Sequence, residues 1–371
     1  MGFGIDQSLI LMFFAALVAG WDARAATSDE ESVSPIARFE QLVLPAVDAA
    51  LRQPGEKLGG EIAWGQAYQL AALVEMLEVT RDSKYARPFV KLADWVAAAR
   101  DDRHDLRDEI RDRVQPAWSS TTYSKGKRYV WAVHTGVIVA PMARFAAVVR
   151  SDPSLSARWG ADADRLLKVT QDAVGVHADE YRAGPGPDEG YLYCPYLKKH
   201  LPLNMQNALA EAWLAIDDAT KGQKFRERVT CLARFLKHRL RTMEEDGSYV
   251  LAYWPALEGT ETSFEDISHA AINVDFMVRC FEHGLVFTRE DLARVEKTLC
   301  RRVVASDDQI FDTVGGTGSS NKYRSAVLRW GRLTRHSPAA RQTLLRLSRR
   351  PEFAQDKTSL PLALAYLSGT N

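Results

Sequence analysis

The chain has 371 residues, 46% of them hydrophobic, 9% aromatic and 26% charged, which excludes a disordered or linker-like composition and supplies enough apolar side chain for a large core. Lys plus Arg number 48 and Asp plus Glu number 48, so no global field recruits nucleic acid or a membrane surface. A polyanionic ligand would need a local basic cleft.

In chain order, residues Leu9 to Gly20 form an apolar run of about a dozen residues, too short to span a bilayer comfortably, followed by Ala23-Arg24-Ala25. This pattern predicts a signal peptide over residues 1–25 and a periplasmic or secreted mature protein. Against the usual layout, the n-region carries Asp6 and no Lys or Arg; a buried N-terminal helix is the alternative. Residues 26–35, rich in Ser, Asp and Glu, read as a flexible lead into a single domain over 36–371.

From Pro35 onward the apolar residues Phe39, Leu42, Val43, Val47 and Leu51 recur at helical spacing. Strand-like alternation is confined to Tyr191–Tyr196 and to Ser248–Trp254 after the Asp246-Gly247 turn, both expected as short loop strands. An internal echo at an offset of 140 residues matches Gln66, Ala72, Thr80, Lys84, Leu92 and Ala93 with Gln206, Ala212, Thr220, Lys224, Leu232 and Ala233. Tyr85 meets Phe225 and Trp95 meets Phe235 in the same register. A helical hairpin repeated in this way cannot bury its apolar faces alone and must stack or close into a ring.

The more apolar predicted helices start near Glu61, Tyr129, Leu203, Ile267 and Asn321; the more charged ones start near Ser83, Ala161, Gly222, Thr288 and Pro338. Buried inner and half-solvated outer helices explain the alternation, so the expected fold class is all-α, an (α/α) toroid or barrel of about six helical hairpins with short loop strands. An open solenoid is the alternative, since periodicity does not report closure.

Unusual polar residues gather at the starts of the inner helices: Trp64 and Gln66, Trp131 and His134, Asn204 and Asn207, His269 and Asn273, Tyr323 and Arg324 with Lys322 beside them. If those helices run in one direction, these residues share one rim, where helix N-termini offer free N–H groups and partial positive charge to a carboxylate-bearing ligand. Tyr123, Tyr191, Tyr193, Tyr196, Tyr253 and Trp254 on the connections would add flat stacking surfaces for sugar rings. Each has a plain structural reading too: His134 and His269 as satisfied core histidines, Asn204 and Asn207 as helix caps.

The segments YVWAVHTGVIVAPMARF, PLNMQNALAEAW, FEDISHAAINVDF and SNKYRSAVLRWGRL, spread between Glu61 and Leu333, resemble the α/α-toroid polysaccharide lyases acting on alginate, glucuronan and similar uronans. The resemblance implies β-elimination on an acidic polysaccharide or oligosaccharide. A base removes the C5 proton of a uronate, the carboxylate is neutralised, and the O4 leaving oxygen takes a proton. On that reading His269 is base or carboxylate partner, Tyr323 the proton donor, His134 a supporting group, and Asn204, Asn207 and Arg324 neutralise the carboxylate. Asn204-Met205-Gln206-Asn207 has no adjacent His, where the related lyases often pair Asn with His.

Paired carboxyls leave a glycoside hydrolase open: Glu265 and Asp266, with Asp275, Asp179 and Glu180 as further candidates. A uronate C5-epimerase and a non-catalytic glycan-binding protein of an exopolysaccharide system use the same residue types and also stay open. No HExxH, EF-hand or clustered His/Cys spacing is present and the Gly315–Ser320 loop is not a P-loop, so no cofactor and no structural metal is expected. The basic run Arg335, His336, Arg341, Arg346, Arg349 and Arg350 reads as a solvated outer face. No nucleic-acid or membrane partner is expected for the mature chain. Cys194, Cys231, Cys280 and Cys300 are either free or paired.

Overall fold

The helical spacing that begins at Pro35 becomes helix α1 (Pro35–Leu51), which buries Phe39, Val43 and Val47. The computed structural model describes residues 33–53, 59–257, 263–306, 309–320 and 322–369. Pro35 to Asn371 form one compact unit. The expected signal peptide and most of the expected flexible lead lie outside the described residues.

Beyond a short helix α2 (Gly59–Trp64), the chain alternates inner and outer helices. The inner series is α3 (Gln66–Thr80), α5 (Ala132–Ser151), α7 (Leu203–Thr220), α9 (Ile267–Glu282), a 3₁₀ helix Arg324–Arg335, and α12 (Ser359–Leu367). The outer series is α1, α4 (Ala86–Ala98), α6 (Pro153–Gly175), α8 (Arg226–Lys237), α10 (Arg289–Lys297) and α11 (Pro338–Ser348). Each inner helix packs against the next, and α12 packs against α3, so the ring closes; α1 lies outside α12 and α3 and completes the sixth hairpin. The protein is an (α/α) toroid. An open solenoid is excluded by the α12–α3 contact.

The asymmetry between the two series is that of burial. Helix α7 is buried along nearly its whole length, whereas α10 buries only Asp291, Leu292 and Val295. Helix α5 is long and apolar enough to cross a membrane, but it is buried inside the ring. Its closest approach is to α7: a Cβ on Gly136 would lie 2.2 Å from the Ala208 carbonyl oxygen. Gly136→Ala is therefore expected to push the two helices apart and destabilise the protein by about 1–3 kcal/mol, read by thermal or urea unfolding.

The 140-residue echo is the repeat of one inner-to-outer turn. Thr80 and Thr220 end α3 and α7, and each hydroxyl donates to the carbonyl four residues back, Met76 O at 2.7 Å and Ile216 O at 2.8 Å. Arg81 and Lys221 follow in the left-handed region at φ 56° and 52°. Tyr85 and Phe225 then precede the outer helices and are packed against the core.

Three element boundaries differ from the expectations. The outer helix expected near Ala161 starts at Pro153, because the Asp152 carboxylate accepts from Ser154 N and Leu155 N while Pro153 occupies the first turn without losing a hydrogen bond. The segment expected to open an inner helix near Asn321 is a 3₁₀ helix. Three residues per turn align Arg329, Arg332 and Arg335 in one row, and Gly331 lets the segment press against Tyr366, whose ring carbon would lie 2.3 Å from a Cβ there. The sixth inner helix, Ser359–Leu367, had no counterpart in the expected helix starts.

The loop strands are short antiparallel pairs: β1 (Arg107–Asp108) with β2 (Arg113–Val114), β4 (Gly190–Cys194) between β3 (Tyr181–Ala183) and β5 (Lys199–His200), β6 (Arg241–Thr242) with β7 (Tyr249–Val250), and β8 (Val304–Ser306) with β9 (Gln309–Ile310). All four cysteines are free thiols. Among the described residues no group of three or more His, Cys, Asp or Glu is placed to hold a metal ion.

Candidate functional site at the inner-helix N-termini

Because the inner helices begin at one rim, the residues at their starts and on the connections meet there in two clusters. The first is aromatic. The His134 ring lies edge-on to Trp64 at 5.6 Å and 6.1 Å from Tyr123. Tyr123 also meets Trp131 at 6.0 Å, and Trp131 packs against Tyr129 and Tyr196. Tyr123 is half exposed and has φ 67°, an unfavourable conformation for an aromatic residue, so the surrounding loop is holding its ring over the rim at an energetic cost.

His134 itself is fully buried, and neither ring nitrogen has a hydrogen-bond partner. Burial disfavours the imidazolium and pushes its pKa down to about 3. The sign follows from linkage: between about pH 6.5 and 3 the unfolded chain takes up a proton that folded His134 refuses, so stability is lost as pH falls through that window. His134→Phe is expected to remove this dependence. The variant's melting temperature should gain on the wild type steadily between pH 7 and pH 4, at about 1.4 kcal/mol per pH unit below pH 6; parallel curves would contradict it.

The second cluster is polar. Asp266 caps α9: its Oδ1 accepts from Ser268 N at 2.8 Å and His269 N at 3.0 Å, and its Oδ2 lies 2.6 Å from His269 Nδ1. Tyr253 stacks on the His269 ring at 4.8 Å. Behind them runs a buried chain in which Asn207 Nδ2 donates to Asn273 Oδ1 at 2.6 Å and Asn273 Nδ2 donates to Glu265 Oε2 at 2.8 Å. The other Glu265 oxygen, Oε1, is buried without a partner.

These two neighbouring carboxyls are held in opposite states. Burial raises the Glu265 carboxyl well above its ordinary range, the Asp266 charge adds to that, and only the Asn273 hydrogen bond opposes it. Burial also works to raise Asp266, but the hydrogen bond and charge of His269, with Ser268, outweigh it and hold Asp266 below the usual carboxylate range. Oε2 of Glu265 accepts from Asn273, which leaves the unpartnered Oε1 as the oxygen available to a proton. Tyr253 is pushed up to about 12, first by burial and then by the Glu265 charge, so it stays a neutral phenol. The charge of Asp266 acts on both Tyr123 and Tyr253, which places the two clusters around one mouth.

Of the sequence-predicted site residues, Trp64, Trp131 and His134 join the aromatic cluster, while Asn207, Asn273, His269 and Tyr253 join the polar one. Tyr323, more than a third exposed, lies at the mouth with Lys322 Nζ 5.0 Å above its ring. Asn204 and Gln66 are buried, each with its side-chain oxygen unpartnered. Three residues are directed elsewhere. Arg324 faces Glu352 at 3.7 Å, Tyr193 packs under Arg182, and Trp254 sits beneath Lys199 Nζ at 3.4 Å with its Nε1 donating to His200 O. The Gly315–Ser320 loop is tied down by Thr313 N donating to Thr317 O and Ser320 N donating to Asp312 Oδ2.

Among the other candidate carboxyls, Asp275 lies inside the ring, bonded by Arg332 Nε at 2.6 Å. Glu180 is sealed into a buried set in which His177 Nδ1 lies 2.9 Å from Glu180 Oε2 and His177 Nε2 lies 3.0 Å from Thr135 Oγ1. That Thr–His–Glu arrangement has no exposed member and ties the end of α6 to α5.

No family model matches the sequence, and no curated protein sequence matches it. Solved structures match in fold. An inactive variant of the GH76A α-1,6-mannanase of Salegentibacter sp. HEL1_6, with two consecutive aspartates replaced by alanine and in complex with α-1,6-mannotetrose, matches with TM-score 0.56 and 11% identity over 91% of this chain and 98% of that one. The corresponding asparagine variant with α-1,6-mannotriose gives 0.55 and 11% over 89% and 97%. The unsubstituted GH76A mannanase gives 0.51 and 11% over 82% and 88%. At this identity the likeness establishes the fold alone. The lyase reaction that the sequence resemblance implied finds no support in these mannanases.

Proposed function

We propose that the protein is a glycan-cleaving enzyme of the glycoside hydrolase type, acting outside the cytoplasm, with Glu265 as general acid and Asp266 as the ionised carboxylate that attacks or activates water. The observation that carries it is the pair itself: two adjacent carboxyls, Asp266 at the aromatic-walled mouth and Glu265 buried directly behind it, the first held below and the second well above the ordinary carboxylate range, the division that glycoside hydrolysis requires of its base and its acid. The mannanase of the same fold is inactive when two consecutive aspartates are replaced, which supports a consecutive acidic pair as the reacting groups. Tyr123, Trp64, Tyr253 and Tyr323 would stack against the sugar faces.

The test is release of reducing ends from a panel beginning with α-1,6-mannan and including alginate, glucuronan, hyaluronan and heparosan. Reducing ends from at least one glycan, formed without an unsaturated product and lost in Glu265→Gln, support hydrolysis. A panel left intact overturns it.

One observation favours β-elimination as a second reading. Asp266 Oδ2 lies 2.6 Å from His269 Nδ1 and leaves Nε2 as the candidate base, with the Tyr253 phenol stacked on the ring. Elimination leaves an unsaturated uronate that absorbs near ~235 nm, and hydrolysis does not; the two absorbance outcomes separate the readings.

A further inference from the structure

Beneath the mouth, within the ring, lies a cavity of about 90 Å³ lined by all five inner α-helices and by the 3₁₀ helix. Small residues such as Ala67, Gly136 and Ala208 leave the space open. Tyr68, Arg144, Glu211 and Arg329 supply its polar wall, together with Asp275 and Tyr366. At about 30 Å³ of liquid volume per water this space holds roughly three waters, room for a carboxylate and the edge of a sugar ring but not for a whole hexose.

The free side-chain groups on this wall are mostly donors. Tyr68 OH, Arg144 Nε and Glu211 Oε1 are each buried without a hydrogen-bond partner, and each residue is only 7% exposed. Burial and the Asp275 charge hold Glu211 above the ordinary carboxylate range, so near neutral pH it carries a proton and donates. Arg329 stands over the Tyr68 ring at 3.9 Å and donates Nε to Ser359 Oγ at 2.9 Å, with no ion pair among the described residues. Its row-mates differ: Arg332 pairs with Asp275, and Arg335 with Glu75 and Glu282. The Asp275 Oδ1 is already taken by Arg332 and by Tyr366 OH at 3.2 Å. Three unsatisfied donors beside an unmatched guanidinium form a site for an anion with several acceptor oxygens.

We infer that the axial cavity receives the carboxylate of a uronic acid residue, held by Arg329 and the Tyr68 hydroxyl, with the sugar ring toward the open side of the cavity. The inference deepens the hydrolase reading by assigning its substrate a uronate. It rests on that reading only for its place in turnover, because occupancy of the well requires no reaction.

The experiment is isothermal titration calorimetry of the full chain with glucuronate, galacturonate and glucose. Glucuronate or galacturonate is expected to bind at least about 10-fold more tightly than glucose, as a charge-assisted bidentate contact of ~1.5–3 kcal/mol implies. Arg329→Gln should abolish that preference and Arg329→Lys should restore part of it; Tyr68→Phe provides a second variant should Arg329→Gln fail to fold. Equal affinity for glucose, no binding of either uronate, or uronate binding untouched by Arg329→Gln and Tyr68→Phe would overturn the site. Loss of the site with reducing ends still released from a neutral glycan would leave the hydrolase reading standing.

Discussion

Glu265→Gln and Asp266→Asn are each expected to lower kcat/KM on a cleaved glycan by about 10²- to 10⁴-fold while leaving the melting temperature nearly unchanged. Both substitutions keep the local structure. A Gln at 265 still offers an oxygen to Asn273 Nδ2, and an Asn at 266 remains a good helix cap for Ser268 N and His269 N. What each removes is the ionisable function. The wild-type pH profile should follow from the same two groups. Turnover requires ionised Asp266, whose carboxyl is held low, and protonated Glu265, whose carboxyl is held high. Activity is therefore expected to persist on the acid side below pH 4 and to fall on the alkaline side as Glu265 loses its proton. An acid limb that is lost in His269→Ala would instead assign the base to His269 and favour elimination. Substitutions that leave kcat/KM unchanged would remove both carboxyls from the mechanism.

Arg144→Met is expected to destabilise the fold by about 3–5 kcal/mol, the range for breaking one side of a buried ion-pair network. Arg144 Nη2 lies 2.6 Å from both Glu75 Oε2 and Glu78 Oε2 inside the ring. Removing the guanidinium leaves two carboxylates facing each other with Arg335 paired to both and Arg332 nearby. Burial opposes the ionised form of Glu78, but the charges of Arg144 and Arg335 dominate and hold its carboxyl well below its ordinary value of 4.5. A depressed carboxyl contributes stability above its unfolded pKa and loses it as pH falls, so the wild type should weaken below about pH 4.5. Arg144→Met should lose much of that acid dependence as well as its baseline stability. Urea unfolding at pH 7 and pH 4 measures both, and a loss under about 1 kcal/mol would show that the network contributes little.

The helical class, the inner and outer alternation and the 140-residue repeat were legible because they rest on local spacing. Thr80 and Thr220 mark the same helix end, and the residues after them adopt the same left-handed turn. The Asp152-Pro153 start of α6 was also written locally, as a cap followed by a proline, although apolar spacing alone placed that helix later. Ser359–Leu367 was missed because nine almost wholly buried residues show no amphipathic period. The lumen residues Arg144 and Glu211 carried a weak signal, a charge inside an otherwise apolar run, VIVAPMARFAAVV and NALAEAWLAI. Such a charge must find a partner inside, but the sequence does not say which one.

The site shows the same division. That Trp64, His134, Asn207, His269 and Tyr323 lie at helix starts follows from sequence, and so does the adjacency of Glu265 and Asp266. Only the closed ring decided that His134 is buried and neutral, that Arg324 turns to Glu352, and that Asp275 belongs to the interior network. It also decided the protonation contrast between Glu265 and Asp266. Hydrophobic periodicity and capping act over a few residues and can be read along the chain. Burial, unmatched charge and proton affinity depend on groups brought together from six helices, and they exist only once α12 has closed on α3.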